Sequence, residues 1–227
     1  LKREKVFLTQ TPQCFEFKTL YNLSKKNKKL ITDEATLFLN NNKKIKFIKG
    51  EKANIKITKK SDLHKSPIKT FYGIGFDIHR LIKNKKLYLG GIIIPFHSGL
   101  KGHSDGDVIL HSIIDALLGA LKKKDIGSLY PSNKNKFKNI RSRKMLGPVI
   151  SLLKDNNFFI NNLDINLICE KPKVSEYRNK ITNSLSKLMN INKKIINLKG
   201  KTVEKLGLIG KENAIACEAI VSINKYE

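Results

Sequence analysis

Along the chain, the spacing of apolar residues changes character near residue 70. Before that point apolar density is modest: Leu20 to Leu30 predicts a short helix, and Asn54-Ile55-Lys56-Ile57-Thr58 alternates like a half-buried strand. From Thr70 to His79, β-forming residues and glycines alternate as in a strand, and Leu87 to Ile94 predicts another. Asp105 to Lys123 carries the clearest helical period, with Val108, Ile109, Ile113, Leu117 and Leu121 on one stripe, Ser104 as its N-cap and acidic residues in its first turn. Further helices are predicted from Ser142 to Asn156, where Pro148 weakens regularity, and from Ser175 to Met189. Leu163 to Cys169, Ile195 to Gly200 and Ala214 to Ile223 complete the strands. Strands mixed with helices of this length predict an α+β fold, a sheet packed on one side by helices. Ser61 to Lys69 carries Ser and Pro punctuation, so the expected organisation is residues 1–63, a linker at 64–69 and a domain at 70–227.

Composition narrows the class. The chain has 45 Lys plus Arg against 19 Asp plus Glu, a formal net charge of +26. The charge is denser before the boundary, net +12 from 18 basic and 6 acidic residues in positions 1–69, than after it, net +14 from 27 and 13. A charge of this size invites a nucleic-acid reading. Only five of the basic residues are Arg, however, and forked recognition of bases and phosphates prefers Arg. Lys instead accompanies abundant Asn and Ile, as in Asn40-Asn41-Asn42-Lys43-Lys44-Ile45-Lys46, which reads as a compositional bias on solvated positions. Apolar runs such as Gly90 to Phe96 are far shorter than the ~20 residues that span a bilayer. No long apolar block of the signal-peptide kind follows the charged N-terminus, and the first residue is Leu rather than Met, so the chain reads as a fragment of something longer. Cys14, Cys169 and Cys217 are odd in number and far apart, which fits neither a disulfide framework nor a zinc ribbon and points to a cytoplasmic setting.

Three clusters carry candidate chemistry. In Asp77-Ile78-His79, positions i and i+2 of a strand share a face, so a carboxylate and an imidazole project together. His103-Ser104-Asp105-Gly106-Asp107 precedes His111, which lies within the predicted helix. Asp77, His79 and His111 would supply one oxygen and two nitrogens, a set suited to Zn²⁺ with a fourth position open. His103 and Ser104, at a helix entry, would suit a phosphate. In Lys201-Thr202-Val203-Glu204, a hydroxyl and a carboxylate two apart can orient a phosphate and hold a hard cation such as Mg²⁺. Taken singly, each cluster is equally well a surface polar group, a satisfied core histidine or an ordinary strand-to-turn segment.

In combination they are specific. Phe76-Asp77-Ile78-His79, His103 to Asp107 with His111, Asp115 to Ala120, Asp125-Ile126-Gly127, Pro172-Lys173, Glu204-Lys205-Leu206-Gly207 and Ile215 to Ala219 closely resemble the 2-C-methyl-D-erythritol 2,4-cyclodiphosphate synthase family over essentially all of residues 70–227. The resemblance implies conversion of 4-diphosphocytidyl-2-C-methyl-D-erythritol 2-phosphate to the cyclic diphosphate with release of CMP. It implies that Asp77, His79 and His111 bind a divalent metal, usually zinc, and that His103 and Thr202 position the phosphates and stabilise the transition state. Glu204 would hold a second cation, Mg²⁺ or Mn²⁺. Substrate contacts carried over in the same way are Asp125, Ile126 and Gly127 at the erythritol, Cys169, Glu170, Lys171, Pro172, Lys173, Val174, Ser175, Lys201 and Val203 along the cytidine and diphosphate end, and Ile78, Ser104, Leu208 and Lys211, the last near the axis of the implied trimer. The implied assembly is a homotrimer with each site between neighbouring subunits. The chain departs from the family pattern at Ser132, Lys134, Val203 and Lys211.

Residues 1–63 have their own resemblance, through Arg3, Leu8 to Gln13, Ile31 to Ala35 and Asn54 to Thr58, to the C-terminal third of the 2-C-methyl-D-erythritol 4-phosphate cytidylyltransferase family, an α/β nucleotidyltransferase sometimes fused to the synthase. This implies that Arg3, Thr11 and Lys56 contact methylerythritol phosphate. The Gly-rich nucleotide-binding segment that opens such a domain is absent from these 227 residues, so this chain is expected to contain a truncated remnant that does not make the CDP intermediate. Two rival readings remain at this point: a zinc-dependent phosphohydrolase, which would yield a linear monophosphate, and a Lys-rich nucleic-acid-binding module, whose affinity would fall steeply with salt.

Overall fold

In a computed structural model the described residues are 9–27, 33–51, 54–59, 62, 68–131, 134, 137 and 140–226. The chain divides into two compact units, Leu1–Ser66 and Pro67–Glu227. In the first, helices α1 (Phe17–Lys26) and α2 (Glu34–Asn40) form, and Asp33 caps α2 by accepting from the Ala35 N–H. Its small core gathers on Leu37 and Phe38, with the Phe15 and Phe38 rings 4.7 Å apart. The helix predicted from Leu20 starts at Phe17, and its predicted end falls outside the described residues. The strand predicted at 54–58 does not form. Alternation stabilises a strand only against a partner ladder, and among the described residues this unit contains no other strand. Instead the Gln10 side chain donates to the Glu51 and Asn54 carbonyls, and Asn54 Nδ2 donates to Thr11 O.

The second unit is built on a five-stranded sheet. Strand β1 (Ile68–Lys83) pairs antiparallel with β4 (Ser98–Leu100) on one side and with β7 (Ala214–Tyr226) on the other. Strand β7 pairs antiparallel with β5 (Phe158–Ile168), which pairs in parallel with β6 (Ile196–Lys201). A parallel pair needs a crossover, and α6 (Val174–Met189) supplies it. The segment predicted as one strand from Leu87 to Ile94 is a hairpin, β2 (Leu87–Leu89) and β3 (Ile92–Ile94), because Gly90 and Gly91 both adopt positive φ, 61° and 83°, and turn the chain back.

Helix α3 (Val108–Ala120) has ten buried residues among its thirteen and lies in the core, as an all-round apolar helix must. Its N-cap is Asp107, which accepts from the Leu110 N–H, not the predicted Ser104, and no acidic residue lies in its first turn. Asp107 is fully buried and also accepts from the N–H groups of Gly90 and Gly91, tying the hairpin to the helix start. Burial pushes its carboxyl up, and these three N–H bonds pull the other way. Helix α4 (Ile126–Leu129) is capped by Asp125, and α5 (Ser142–Asp155) runs through Pro148, which faces solvent. The short α7 (Gly207–Gly210) precedes β7.

Two glycines set the distance between helix and sheet. A Cβ on Gly73 would lie 1.9 Å from the Ala116 carbonyl oxygen, and one on Gly75 would lie 2.0 Å from that of Ser112. Hydrogen at these positions lets α3 rest on β1, while Ser112 Oγ bonds Cys217 O on β7. On the opposite face of the sheet, Tyr72, Ile74, Phe76 and Ile78, alternate residues of β1, are 73, 63, 56 and 45% exposed, and Ile220 of β7 is exposed beside them. Among the described residues no helix is long and apolar enough to cross a membrane.

Candidate functional site

Strand alternation places Asp77 and His79 on the helix-covered face of β1, and the close seating of α3 brings His111, in its first turn, opposite them. Asp77 Oδ2 lies 2.8 Å from His111 Nδ1 and 3.0 Å from His79 Nε2, and the two nitrogens are 3.3 Å apart. Tetrahedral Zn²⁺ with bonds of about 2.0–2.2 Å spaces its ligand atoms roughly 3.3–3.5 Å apart, so the three atoms already stand close to a coordination face. The side chains are 23, 22 and 11% exposed for Asp77, His79 and His111, which leaves a solvent side for a fourth ligand. Burial alone would raise the Asp77 carboxyl, but hydrogen bonds and charge from His111 and His79 hold it well below the usual range. The Asp77 hydrogen bond raises His79 against the opposing effect of burial. The donor set, two imidazoles and an ionised carboxylate with an open position, fits a divalent cation.

Other predicted residues divide between places. Ser104 joins the triad: its Oγ lies 3.1 Å from His111 Nε2 and accepts from the Gly106 N–H. Ile78 points to the exposed face of β1, away from Asp77 and His79. His103 is exposed on the loop between β4 and α3, five residues before the helix, so it is not at the helix entry. Asp125, exposed and kept low by its Ser128 bonds, sits at the start of α4, and Asp115 on α3 holds that turn by accepting from the Ile126 N–H. Gly127 follows in the same turn.

A cavity of about 480 Å³ opens at the β6 edge, where Cys169, Glu170, Pro172, Lys173, Val174 and Ser175 meet Lys201 and Thr202. Gly200 lines it too, and its backbone lies so close to Val174 that an added Cβ would meet that side chain at 2.8 Å. Burial pushes the Cys169 thiol up to about 12, and the Cys217 thiol upward too, so neither is a ready nucleophile; all three cysteines are free. Glu170 accepts from the N–H groups of Val203 and Lys205, shaping the loop in which Thr202 Oγ1 lies 3.3 Å from Glu204 Oε1. Lys171 turns away to pair with Glu212 at 3.2 Å, and Leu208 and Lys211, both exposed on or just after α7, do not line the cavity.

Triad and cavity do not meet within the chain. Asp77 pairs with Cys217, Cys217 with Leu167, and Leu167 with Gly200, one row across the sheet. Three strand spacings put the ends of that row about 14 Å apart. Between them Cys217 and Leu167 are 0 and 1% exposed, so packed core fills the direct path.

Sequence reasoning missed Asp105 and Ser142 behind His111, and Arg178 and Lys199 around the cavity. Asp105 had a signal, standing inside the His103 to Asp107 motif; Ser142 had none. In the first unit, Thr11 and Lys56 share a cavity of about 500 Å³ with Gln10, Asp33 and Asn54, while Arg3 lies outside the described residues.

A mixed sheet covered by helices on one face, with two imidazoles and a carboxylate gathered at the helix–strand contact, defines an α+β protein with a candidate divalent-metal site. Residues 70–224 match the YgbB family model, and the chain belongs to that family. Residues 1–68 match the 2-C-methyl-D-erythritol 4-phosphate cytidylyltransferase model. The chain is 52% identical over its whole length to the bifunctional enzyme IspD/IspF of Pelagibacter ubique, spanning 61% of that protein. Over 151 residues, 66% of this chain, it is 44% identical to the 2-C-methyl-D-erythritol 2,4-cyclodiphosphate synthase of Caldicellulosiruptor bescii, covering 96% of it. The fold is similar to the bifunctional IspDF from Campylobacter jejuni, with TM-score 0.68 and 36% identity over 100% of this chain and 63% of that one. It is also similar to Plasmodium falciparum IspF in its CDP complex, with TM-score 0.62 and 40% identity over 70% of this chain and 97% of that one.

Proposed function

We propose that residues 70–227 act as a 2-C-methyl-D-erythritol 2,4-cyclodiphosphate synthase, converting 4-diphosphocytidyl-2-C-methyl-D-erythritol 2-phosphate to the cyclic diphosphate and CMP. The observation that carries the reading is the convergence of Asp77, His79 and His111 within 3.3 Å of one another from two separate elements. The reaction brings the 2-phosphate onto the β-phosphorus, two anions together, so positioning and charge neutralisation supply most of the rate. Asp77, His79 and His111 would hold the cation, with Zn²⁺ favoured by the nitrogen donors; when bound, it supplies Lewis-acid polarisation and charge neutralisation at the diphosphate.

The chain's own groups do the rest. His103 and Thr202 offer donors to phosphate oxygens, and Glu204 offers a carboxylate to a second, harder cation, Mg²⁺ or Mn²⁺. Lys173, Lys201 and Arg178 around the β6 cavity complement a nucleoside diphosphate, and the name of the Plasmodium falciparum CDP complex supports placing the cytidine there. The roles of Asp125 to Gly127 near the erythritol rest on the family pattern alone. Because triad and cavity of one chain are separated by packed core, we infer a homotrimer in which the triad of one subunit works with the cavity of its neighbour. The exposed apolar face of β1 supports such an assembly. Three unpaired cysteines support a cytoplasmic setting. Incubation with the substrate tests the reading: cyclic diphosphate plus CMP is expected, and a linear monophosphate would instead make the protein a phosphohydrolase.

A further inference from the structure

We propose that Ser142, held by Asp105, is a positioning residue that fixes the ring of His111 with Nδ1 free for the metal. The inference rests on the metal-site reading above. His111 reaches the triad through Nδ1, and its Nε2 lies 2.9 Å from Ser142 Oγ. Ser142 is 0% exposed at the first position of α5, and its hydroxyl and backbone N–H both donate to Asp105 Oδ1. Arg141 Nε donates to Asp105 Oδ2 at 3.0 Å, and the Arg141 guanidinium lies over the Tyr88 ring at 4.3 Å. A carboxylate only accepts, and a hydroxyl has one proton. With that proton committed to Asp105, Ser142 can only accept from His111, so Nε2 carries a ring proton and Nδ1 is the nitrogen left to ligate a metal.

The second histidine is arranged the other way round. His79 offers Nε2 to the triad. The two imidazoles thus present opposite nitrogens, and His111 has its partner on the far side of the ring. The partner of His111 is needed because Asp77, 2.8 Å from Nδ1, would by itself draw the ring proton onto the atom the metal requires. Ser104 Oγ, 3.1 Å from Nε2, is a second acceptor but has no carboxylate behind it to fix its polarity. Partners of this kind typically contribute 10–100-fold to metal affinity.

The test is Zn²⁺ affinity by competition with a chromophoric chelator, on full-length wild type and three variants, with thermal unfolding of each metal-free protein alongside. Ser142→Ala is expected to bind Zn²⁺ about tenfold or more weakly, and Ser142→Thr, which keeps the hydroxyl, to stay within about threefold of wild type. Asp105→Asn preserves volume but its amide can donate to Ser142, turning the hydroxyl toward His111 as a donor and favouring the wrong tautomer, so a loss at least as large as that of Ser142→Ala is expected. A Ser142→Ala affinity within about twofold of wild type overturns the proposal. So does a Ser142→Thr loss equal to that of Ser142→Ala, which would reduce Ser142 to packing. Should Ser142→Ala not fold, Asp105→Asn decides by the same affinity. Wild type that binds no Zn²⁺ would fail the metal-site reading itself, an outcome distinct from wild type and variants binding alike.

Discussion

The separation of triad and cavity makes a quantitative prediction about mixtures. Two variants are each disabled on one side: His111→Ala loses one of three protein ligands, and Thr202→Ala loses a phosphate donor, an effect of about 10²–10³ in turnover where such a donor stabilises the transition state. In a ring of three with every site shared by neighbours, a site works only if its triad comes from a Thr202→Ala chain and its cavity from a His111→Ala chain. At equal input those events each have probability one half, so random trimers should regain about a quarter of wild-type activity. At other ratios the recovery follows the product of the two fractions. The row Asp77–Cys217–Leu167–Gly200 is the structural reason: about 14 Å of packed core leaves a chain's own triad and cavity without a direct path between them. Co-refolded mixtures are assayed for CMP release by chromatography. Activity that stays at the weighted mean of the two parents at every ratio would refute the shared site, and full activity of Thr202→Ala alone would remove Thr202 from it.

Three other outcomes follow from the same geometry. Chelation should abolish CMP release and Zn²⁺ should restore it, whereas His111→Ala should stay inactive at Zn²⁺ concentrations that saturate wild type; activity in metal-free protein would dismiss the site. Gly75→Ala should destabilise by about 1–3 kcal/mol or more, because the new Cβ meets the Ser112 backbone rather than a side chain that can move. Gly119→Ala, whose nearest neighbour would be at 3.7 Å, should be neutral or stabilising by up to about 1 kcal/mol in thermal unfolding, and the reverse order would contradict the packing argument. Phe76→Lys, on the exposed face of β1, should shift the sedimentation coefficient towards that of a single chain, and an unchanged oligomer would show that this face is not what holds it together.

What could be read from the sequence depended on how local the determining physics was. The middle of strand β1 was legible because β-formers and glycines alternate from Thr70 to His79, although the strand runs on from Ile68 to Lys83, and α3 was legible from the helical period of its apolar residues. Residues 87–94 read as one strand because six of the eight are apolar, while the two that break it, Gly90 and Gly91, act through backbone conformation and leave little trace in a hydrophobic pattern. At 54–58 the alternation was genuine but met no partner strand among the described residues. Asp77 and His79 were paired by their spacing and His111 was added by chemistry and family pattern, whereas Ser142 meets His111 across 31 residues and a change of element. No period reports such a contact. The same holds for the separation of triad from cavity, which depends on strand order and not on either motif.

The bare side of the sheet has a consequence for how stability is to be understood. Tyr72, Ile74, Phe76, Ile78 and Ile220 form an apolar surface that water wets in a lone chain. If neighbouring copies cover it, as proposed above, each subunit is a ligand for the others and folding free energy acquires a term in protein concentration. The unfolding temperature should then climb as the solution is made more concentrated, and dilution alone should inactivate the protein, with no change in buffer, metal or sequence.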